Sequence, residues 1–214
     1  MSRTRIAFVA LALGVAVLAY IALPAAAAPH PAKTPVKFGA DLTTTTQPSN
    51  SSPAHTCQHE DSSLTTAACT WMMLNSEVGN ADGHLKAPSN GTITQIWVIA
   101  GHSGSFTPYV GFLTNADFQG GDGRVTAHGK LIQHGSSLTS GQTFKILKFT
   151  GLSIPVKKGE VLGIRAKSTS ILRCDSGSTR QLLFQPPLAV GASAVHTDAT
   201  SDCSLLIEAV MTPA

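Results

Sequence analysis

The sequence predicts an all-β protein: an antiparallel β-sandwich of jelly-roll-like topology with about eight strands, following an N-terminal signal helix. From Cys69 onward, short segments rich in β-branched and aromatic residues recur about every eight to twelve residues, each bounded by Gly, Pro, Asn, Asp or Ser. After the signal, no window of about ten residues keeps a helical period free of interruption. Strands without helical crossovers favour antiparallel sheets over a parallel one.

The N-terminus has the three parts of a secretory signal peptide. Two arginines precede an apolar run over residues 6–23, and Pro24 and four alanines follow it. Ala25 and Ala27 satisfy the small-residue rule for cleavage, which predicts a signal peptide over residues 1–27 and a secreted or extracytoplasmic mature protein. The apolar run of 18 residues is also long enough to span a bilayer, so an uncleaved N-terminal membrane anchor stays the alternative.

Composition divides the mature chain into a leader and one domain. Residues 28–53 are predicted to form a flexible leader and a Ser/Thr/Pro-rich segment, interrupted by PVKFGADL as a weak first strand, and residues 54–214 the β-sandwich domain. Without the two arginines of the signal, 13 basic and 12 acidic residues give a net charge of +1. A nearly neutral surface argues against nucleic acid as a partner and leaves a polysaccharide or a cell-envelope protein.

The strands are predicted from runs of β-forming residues between turn signals. Asp82-Gly83 and Asn90-Gly91 are hairpin-type dipeptides, and the glycines of GGDG at 120–123 predict a flexible loop. The runs that predict strands most clearly are CTWMMLNSEV from Cys69, TITQIWVIAG from Thr92, FTPYVGFL from Phe106, RVTAHGKLI from Arg124, TFKILKF from Thr143, EVLGIRAK from Glu160, RQLLFQ from Arg180 and SLLIEAVMT from Ser204.

All four cysteines lie in the exported part, and an even number in an oxidising compartment predicts two disulfide bonds. Three connectivities are open, of which Cys57–Cys69 with Cys174–Cys203 is favoured. Each bridge is expected to add about 3 kcal/mol by restricting the unfolded chain. Zinc binding by these cysteines is not favoured, because no C-x-x-C pair exists.

Two turn segments, APSNGTIT at 87–94 and IPVKKGEVLGI at 154–164, carry a resemblance. They resemble a loosely defined group of secreted bacterial β-sandwich proteins of unknown function, in which such Pro/Gly turns start two strands. Similar segments occur in jelly-roll carbohydrate-binding domains. The resemblance covers residues 69–165 and implies a fold more than a function, because sandwiches host many unrelated sites.

Three aromatic residues in predicted strands are the candidates for binding a ligand. Sugar-binding sandwiches stack flat rings against pyranose faces, and Trp71, Trp97 and Tyr109 could serve in this way. The alternative is that each ring packs in the core, which for Trp97 is suggested by its isoleucine neighbours.

Two groups of residues suggest metal binding. Asp117 and Asp122 in DFQGGDGR predict a structural calcium site, since calcium takes carboxylate and carbonyl oxygens, although a plain glycine loop is the alternative. No other cofactor is expected. His55 and His59 flank Cys57 and would suit zinc or copper if that cysteine were reduced, but a disulfide-pinned loop explains them as well.

No catalytic motif is intact. GHSGS at 101–105 places Ser103 between glycines, but Ser105 stands where the final glycine of a nucleophile elbow is required. Glu208 interrupts an apolar strand, which predicts either an exposed edge or a pair with a base such as Arg165 or Arg173.

These observations favour a non-enzymatic exported module that has a binding or structural role at the cell envelope or outside the cell, with a glycan as one candidate ligand. The first alternative is an extracellular hydrolase that assembles Ser103 or Glu208 with a distant histidine. The second alternative is a metal-binding protein that uses the His55/His59 loop.

Overall fold

The computed structural model describes residues 33–43, 57, 68–76, 79–101, 103–137, 144–167 and 174–214. The predicted signal helix, His55 and His59 lie outside these ranges. Strands make up most of the described chain, with one short 3-10 turn at Ala81–Gly83 and no α-helix, so the predicted all-β class is confirmed. No helix in the described part is long and apolar enough to cross a membrane.

Twelve strands are present in the described chain. They are β1 (Val36–Gly39), β2 (Ala68–Met73), β3 (Gly91–Val98), β4 (Gly104–Asp117), β5 (Gly120–His128), β6 (Ile132–His134), β7 (Leu147–Val156), β8 (Val161–Lys167), β9 (Cys174–Phe184), β10 (Val195–His196), β11 (Ala199–Leu205) and β12 (Ile207–Pro213).

The strands form two antiparallel sheets. The smaller sheet has the order β1-β12-β3-β7. The larger sheet has the order β10-β5-β4-β8-β2-β9-β11, with β6 also paired to β4. One of the two sheets curls into a half-barrel. The structure has more strands than the predicted eight or so, because RVTAHGKLI contributes to both β5 and β6, SLLIEAVMT contributes to both β11 and β12, and β1 and β10 are additional short strands.

The folded domain begins earlier than the predicted boundary at residue 54. β1 pairs with β12 along its whole length, from Val36 opposite Met211 to Gly39 opposite Glu208. Phe38 is fully buried in the main core. The weakly predicted first strand is therefore present inside the segment that was expected to be a flexible leader.

Glycines extend strands where the sequence predicted loops. The register between β3 and β7 shifts beside Gly151, whose φ of 69° suits a β-bulge, so β7 continues past the predicted end of TFKILKF. Gly121 and Gly123 lie within β5, not in a flexible loop. A Cβ at Gly121 would lie 2.6 Å from the Cα of Ala116, so glycine allows the two hairpin strands to approach closely.

Two hydrophobic clusters flank the larger sheet. The main core includes Phe38, Trp71 and Ile96 and draws on both sheets. The second cluster contains Met72, Tyr109, Leu182, Phe184 and Leu188. Alternation along β2 explains the division, because Trp71 belongs to one cluster and Met72 to the other. The segment after β9 covers part of the second cluster, with Leu188 packed into it.

One of the two predicted disulfides is confirmed. Cys57 and Cys69 are joined with an S–S distance of 2.08 Å and a Cα–Cα distance of 5.5 Å. Cys174 and Cys203 lie on the neighbouring strands β9 and β11, where Cys203 aligns with Ser176. The side chains of both cysteines lie outside the described part, so their pairing stays a prediction.

The two turn segments that carry the family resemblance contact each other. Ala87 donates its N–H to the Glu160 carbonyl at 2.8 Å, and Gly159 donates its N–H to the Ala87 carbonyl at 2.8 Å. The fully buried Glu160 carboxylate accepts hydrogen bonds from the Lys157 N–H and the Thr126 hydroxyl. These bonds hold the turn between β7 and β8 against the turn that precedes β3.

The substitution Gly123→Ala tests how closely β5 packs on the second hydrophobic cluster. The added Cβ would lie 2.4 Å from Cζ of the fully buried Phe184 ring, so the free energy of unfolding should fall by about 2 kcal/mol. Urea unfolding measures the change. Gly135→Ala is the matched control, since its Cβ would meet nothing within 4 Å. Equal stability of the two variants would contradict the close packing of β5 on the Phe184 ring.

Candidate functional site

A groove of about 510 Å³ opens on the face of the larger sheet that carries the second cluster. We call it the basic groove. Its floor is formed by Thr107, Tyr109 and Arg165, one wall by residues 128–131, and the opposite wall by residues 187–190.

Strand alternation explains the floor of the basic groove. In β8, Ile164 and Ala166 belong to the main core, so Arg165 between them points to the opposite face and is exposed. Thr107 of β4 lies directly opposite Arg165. Tyr109 belongs to the second cluster, and the centroid of its ring lies 6.1 Å from that of His128.

The first wall is an interruption between two strands that pair with the same neighbour. Both β5 and β6 pair with β4, and residues 129–131 separate them. The Gly129 N–H donates to the Pro108 carbonyl at 2.9 Å, and a Cβ at Gly129 would lie 2.7 Å from Cδ1 of Ile154. Glycine therefore lets the chain pass closely between these neighbours, after which Lys130 and Leu131 are both exposed.

The second wall is tied to the sheet at several points. Leu188 donates its N–H to the Thr70 hydroxyl at 3.0 Å, and Gly191 donates its N–H to the Val125 carbonyl at 2.8 Å. The Gln185 Nε2 donates to the carbonyl of Cys57 at 2.7 Å, and Cys57 is in turn bonded to Cys69 of β2. These ties hold the wall in place without help from a ligand.

The formal charge of the basic groove is of one sign. Lys130 and Arg165 are exposed cations, His128 is an exposed imidazole beside them, and the described lining contains no acidic side chain. A cleft lined by one sign of charge concentrates ligands of the opposite sign. Leu131 and Val190, with exposed fractions of 58% and 42%, add an apolar rim. The arrangement suits an anion that also presents an apolar surface.

A second depression of about 570 Å³ lies beside the β4–β5 hairpin and has no such excess of charge. Its lining includes one lysine, Lys86, and one aspartate, Asp117, among apolar and amide side chains. The basic groove is therefore the stronger candidate for a binding site.

The three predicted ligand-binding aromatics do not come together. Only Tyr109 lines the basic groove, and because it is 5% exposed its ring forms part of the floor and offers little surface for stacking. Trp71 is 6% exposed in the main core, so its ring offers almost no surface to a ligand. Trp97 is half-buried on the smaller sheet, where the ammonium groups of Lys37 and Lys148 lie 4.2 and 3.7 Å from its ring centroid.

The two aspartates predicted to bind calcium have other contacts. Asp117 Oδ1 accepts the Gln119 N–H at 2.7 Å in the β4–β5 turn, and Asp122 Oδ1 lies 3.1 Å from His196 Nδ1. Across the described ranges, no group of three or more His, Cys, Asp or Glu side chains is placed to hold a metal ion. Calcium at these two residues stays a prediction.

The residues considered for hydrolysis are also separate. Ser103 is exposed before β4, whereas Glu208 is fully buried in β12. Glu208 Oε1 lies 2.9 Å from Lys37 Nζ, and Glu208 Oε2 accepts the Leu42 N–H at 3.1 Å. The expected pairing of Glu208 with a base is therefore observed, but the base is Lys37 of β1 and not Arg165, which lines the basic groove; Arg173 lies outside the described residues.

Sequence reasoning missed most of the basic groove. His128, Lys130 and Leu131 were interpreted as one continuous strand, although Gly129 in their midst is the kind of residue that interrupts strands. Arg165 was considered only as a partner for Glu208. Comparison with known proteins finds no matching family model, no matching curated protein and no matching solved structure.

Proposed function

We propose that the chain is an exported, non-enzymatic binding module that works at the cell envelope or outside the cell and takes an acidic glycan in the basic groove. We propose further that its two sheets form a jelly-roll-like sandwich. The observation that carries the function is the described lining of the groove: the exposed cations Lys130 and Arg165, the exposed imidazole of His128 and an apolar rim, without an acid.

The chemistry of the lining favours a glycan that carries carboxylate or phosphate groups. Arginine and lysine form charge-assisted hydrogen bonds with such groups, and the planar guanidinium of Arg165 can bind two oxygens at once. The apolar faces of sugar rings can pack on Leu131 and Val190, which are exposed on the two walls. Anchoring of the wall at residues 185–191 reduces the ordering that a ligand would have to impose.

Binding is favoured over hydrolysis by the residues that the basic groove contains. Cleavage of glycosides typically uses two carboxylates about 5 to 10 Å apart, and the described lining holds none. The buried carboxylates of Glu160 and Glu208 are already engaged by protein donors. A nucleophile beside His128 would suit acyl transfer, but the described lining offers neither serine nor cysteine.

Replacing Arg165 with Gln should weaken the binding of polygalacturonate, a carboxylate-bearing polysaccharide, about tenfold, which corresponds to about 1.4 kcal/mol. Titration calorimetry on the exported protein measures this. Wild-type binding should weaken as salt is raised, because the contacts are ionic and exposed. Neutral dextran should not bind.

Arg124→Gln is the matched control, since Arg124 is an exposed arginine of the same sheet that does not line the basic groove. Equal losses in the two arginine variants would point to nonspecific attraction by charge. Failure of both polygalacturonate and poly(glycerol phosphate) to bind the wild-type protein would overturn the proposed function. Preferential binding of dextran would overturn its acidic-glycan form.

A further inference from the structure

We infer that the ligand is a linear acidic polysaccharide that extends beyond the basic groove, around the edge of the larger sheet, to Trp97 on the smaller sheet. This inference rests on the proposed function and specifies the form of its ligand. It is based on a smaller depression next to the basic groove, on the lysine that links this smaller depression to Trp97, and on the absence of acidic residues from the described linings of both.

A smaller depression, distinct from the one beside the β4–β5 hairpin, adjoins the basic groove. It has a volume of about 310 Å³, and Lys130 and Leu131 line both it and the groove. We call it the edge depression. Its other described lining residues come from β6 and β7, among them Gln133, Lys148 and Thr150. A chain leaving the groove over Lys130 and Leu131 therefore enters the edge depression directly.

The edge depression lies where the two sheets present strand edges. Within the described chain, β6 pairs only with β4, and β7 pairs only with β3. Such strands leave a row of backbone N–H and C=O groups without a strand partner. Sugar hydroxyl groups can both donate and accept hydrogen bonds, so an edge of this kind suits a glycan chain.

Lys148 links the edge depression to Trp97. The lysine lines the depression, and its Nζ lies 3.7 Å from the centroid of the Trp97 ring. Trp97 is held in place by a hydrogen bond from its Nε1 to Gln95 Oε1 at 2.9 Å. Gln95 lies directly opposite Thr150, another residue of the edge depression. A half-buried indole therefore stands at the end of this surface.

The exposed charged side chains that line the two depressions, Lys130, Lys148 and Arg165, are all positive. The described linings of the basic groove and the edge depression contain basic residues and no acidic ones. The carboxylate nearest to Trp97 in register is Glu208, which is fully buried and paired with Lys37. A ligand with one acidic group could satisfy the groove alone, whereas a polymer with repeated acidic groups can use Lys148 as well.

An acidic polysaccharide fits this surface better than a nucleic acid does. The predicted mature chain carries a net charge of only +1, too little for the broad basic surface that nucleic acids require. The surface also combines its cations with an apolar rim, Leu131 and Val190, on which the faces of sugar rings can pack.

The test is a titration of the exported protein with oligogalacturonates of increasing length. Affinity should rise with length beyond the shortest oligomer that fills the basic groove, because longer oligomers reach Lys148. Lys148→Gln should weaken binding of the longest oligomers about fivefold and leave the shortest binding oligomer unaffected. Lys157→Gln is the matched control, since Lys157 is an exposed lysine just after β7 that lines neither depression.

The outcomes separate this inference from the proposed function. An affinity that does not change with oligomer length would contradict the extended binding surface but not binding in the basic groove. The same conclusion would follow from a Lys148→Gln variant that binds long oligomers as the wild type does. Absence of binding at every length, with poly(glycerol phosphate) failing too, would overturn the proposed function itself. Equally tight binding of oligothymidylate would overturn the choice of a polysaccharide. Unfolding curves establish that each variant is folded before binding is compared.

Discussion

Replacing Lys37 with Met should lower the free energy of unfolding by about 3 kcal/mol, because it leaves the Glu208 carboxylate buried without its cation. Glu208 is fully buried, and Lys37 Nζ lies 2.9 Å from its Oε1. The only other hydrogen bond that the structure shows for this carboxylate in the described chain comes from the Leu42 N–H. That single bond cannot replace a full positive charge.

Two further variants separate the effect of losing the ion pair from the effect of losing the lysine contact with the Trp97 ring. Lys148→Gln removes the other ammonium group over the same ring and leaves Glu208 paired, so it should cost no more than about 1 kcal/mol. The double variant Lys37→Met/Glu208→Gln removes both charges and keeps an acceptor for Leu42, so it should regain most of the lost stability. Urea unfolding gives all the values. A similar small loss in both lysine variants would contradict the importance of the ion pair.

The second large effect is expected from the disulfide between Cys57 and Cys69. Replacing both cysteines with serine should lower the free energy of unfolding by about 3 kcal/mol, since the bridge closes a loop with a sequence separation of 12. The loss should extend to ligand binding, because the Cys57 carbonyl accepts the bond from Gln185 that ties down one wall of the basic groove.

The control for the disulfide is Gln185→Leu, which removes the tie to Cys57 and leaves the bridge in place. This variant should weaken binding of polygalacturonate while lowering the unfolding temperature only slightly. Loss of the bridge should lower both the affinity and the unfolding temperature. Unfolding is measured under oxidising conditions, so that any bridge between Cys174 and Cys203 is preserved. Unchanged stability after loss of Cys57 and Cys69 would contradict a structural role for the bridge.

Local patterns in the sequence were sufficient for the fold class and for several strands. In β3, buried Ile93, Ile96 and Val98 lie among half-buried neighbours, and this pattern was recognised as a strand between turn signals. The strand predicted from TFKILKF ends at Phe149, but Gly151 permits a bulge that lets β7 continue to Val156. Glycine is common both in turns and in bulges, so the sequence alone does not distinguish the two. The pairing with a partner strand does.

The candidate site was harder to predict from the sequence than the fold class, because its residues are distant along the chain. Tyr109 was identified from its aromatic ring, but Arg165 joins it only through the pairing of β4 with β8. Residues 187–190 join them through the folding of the segment after β9 onto the sheet. The burial of Glu208 beside Lys37 likewise depends on β1, which lies about 170 residues away in the sequence.

The most direct test of the central claim, that the basic groove binds an acidic glycan, is to follow backbone amide chemical shifts of residues 28–214, the predicted mature chain, during titration with an oligogalacturonate. We expect the largest shifts at Thr107, Tyr109, His128, Lys130 and Arg165, which line the groove. Shifts confined to the β4–β5 hairpin around Phe118, or no saturable shift at any residue, would contradict the claim.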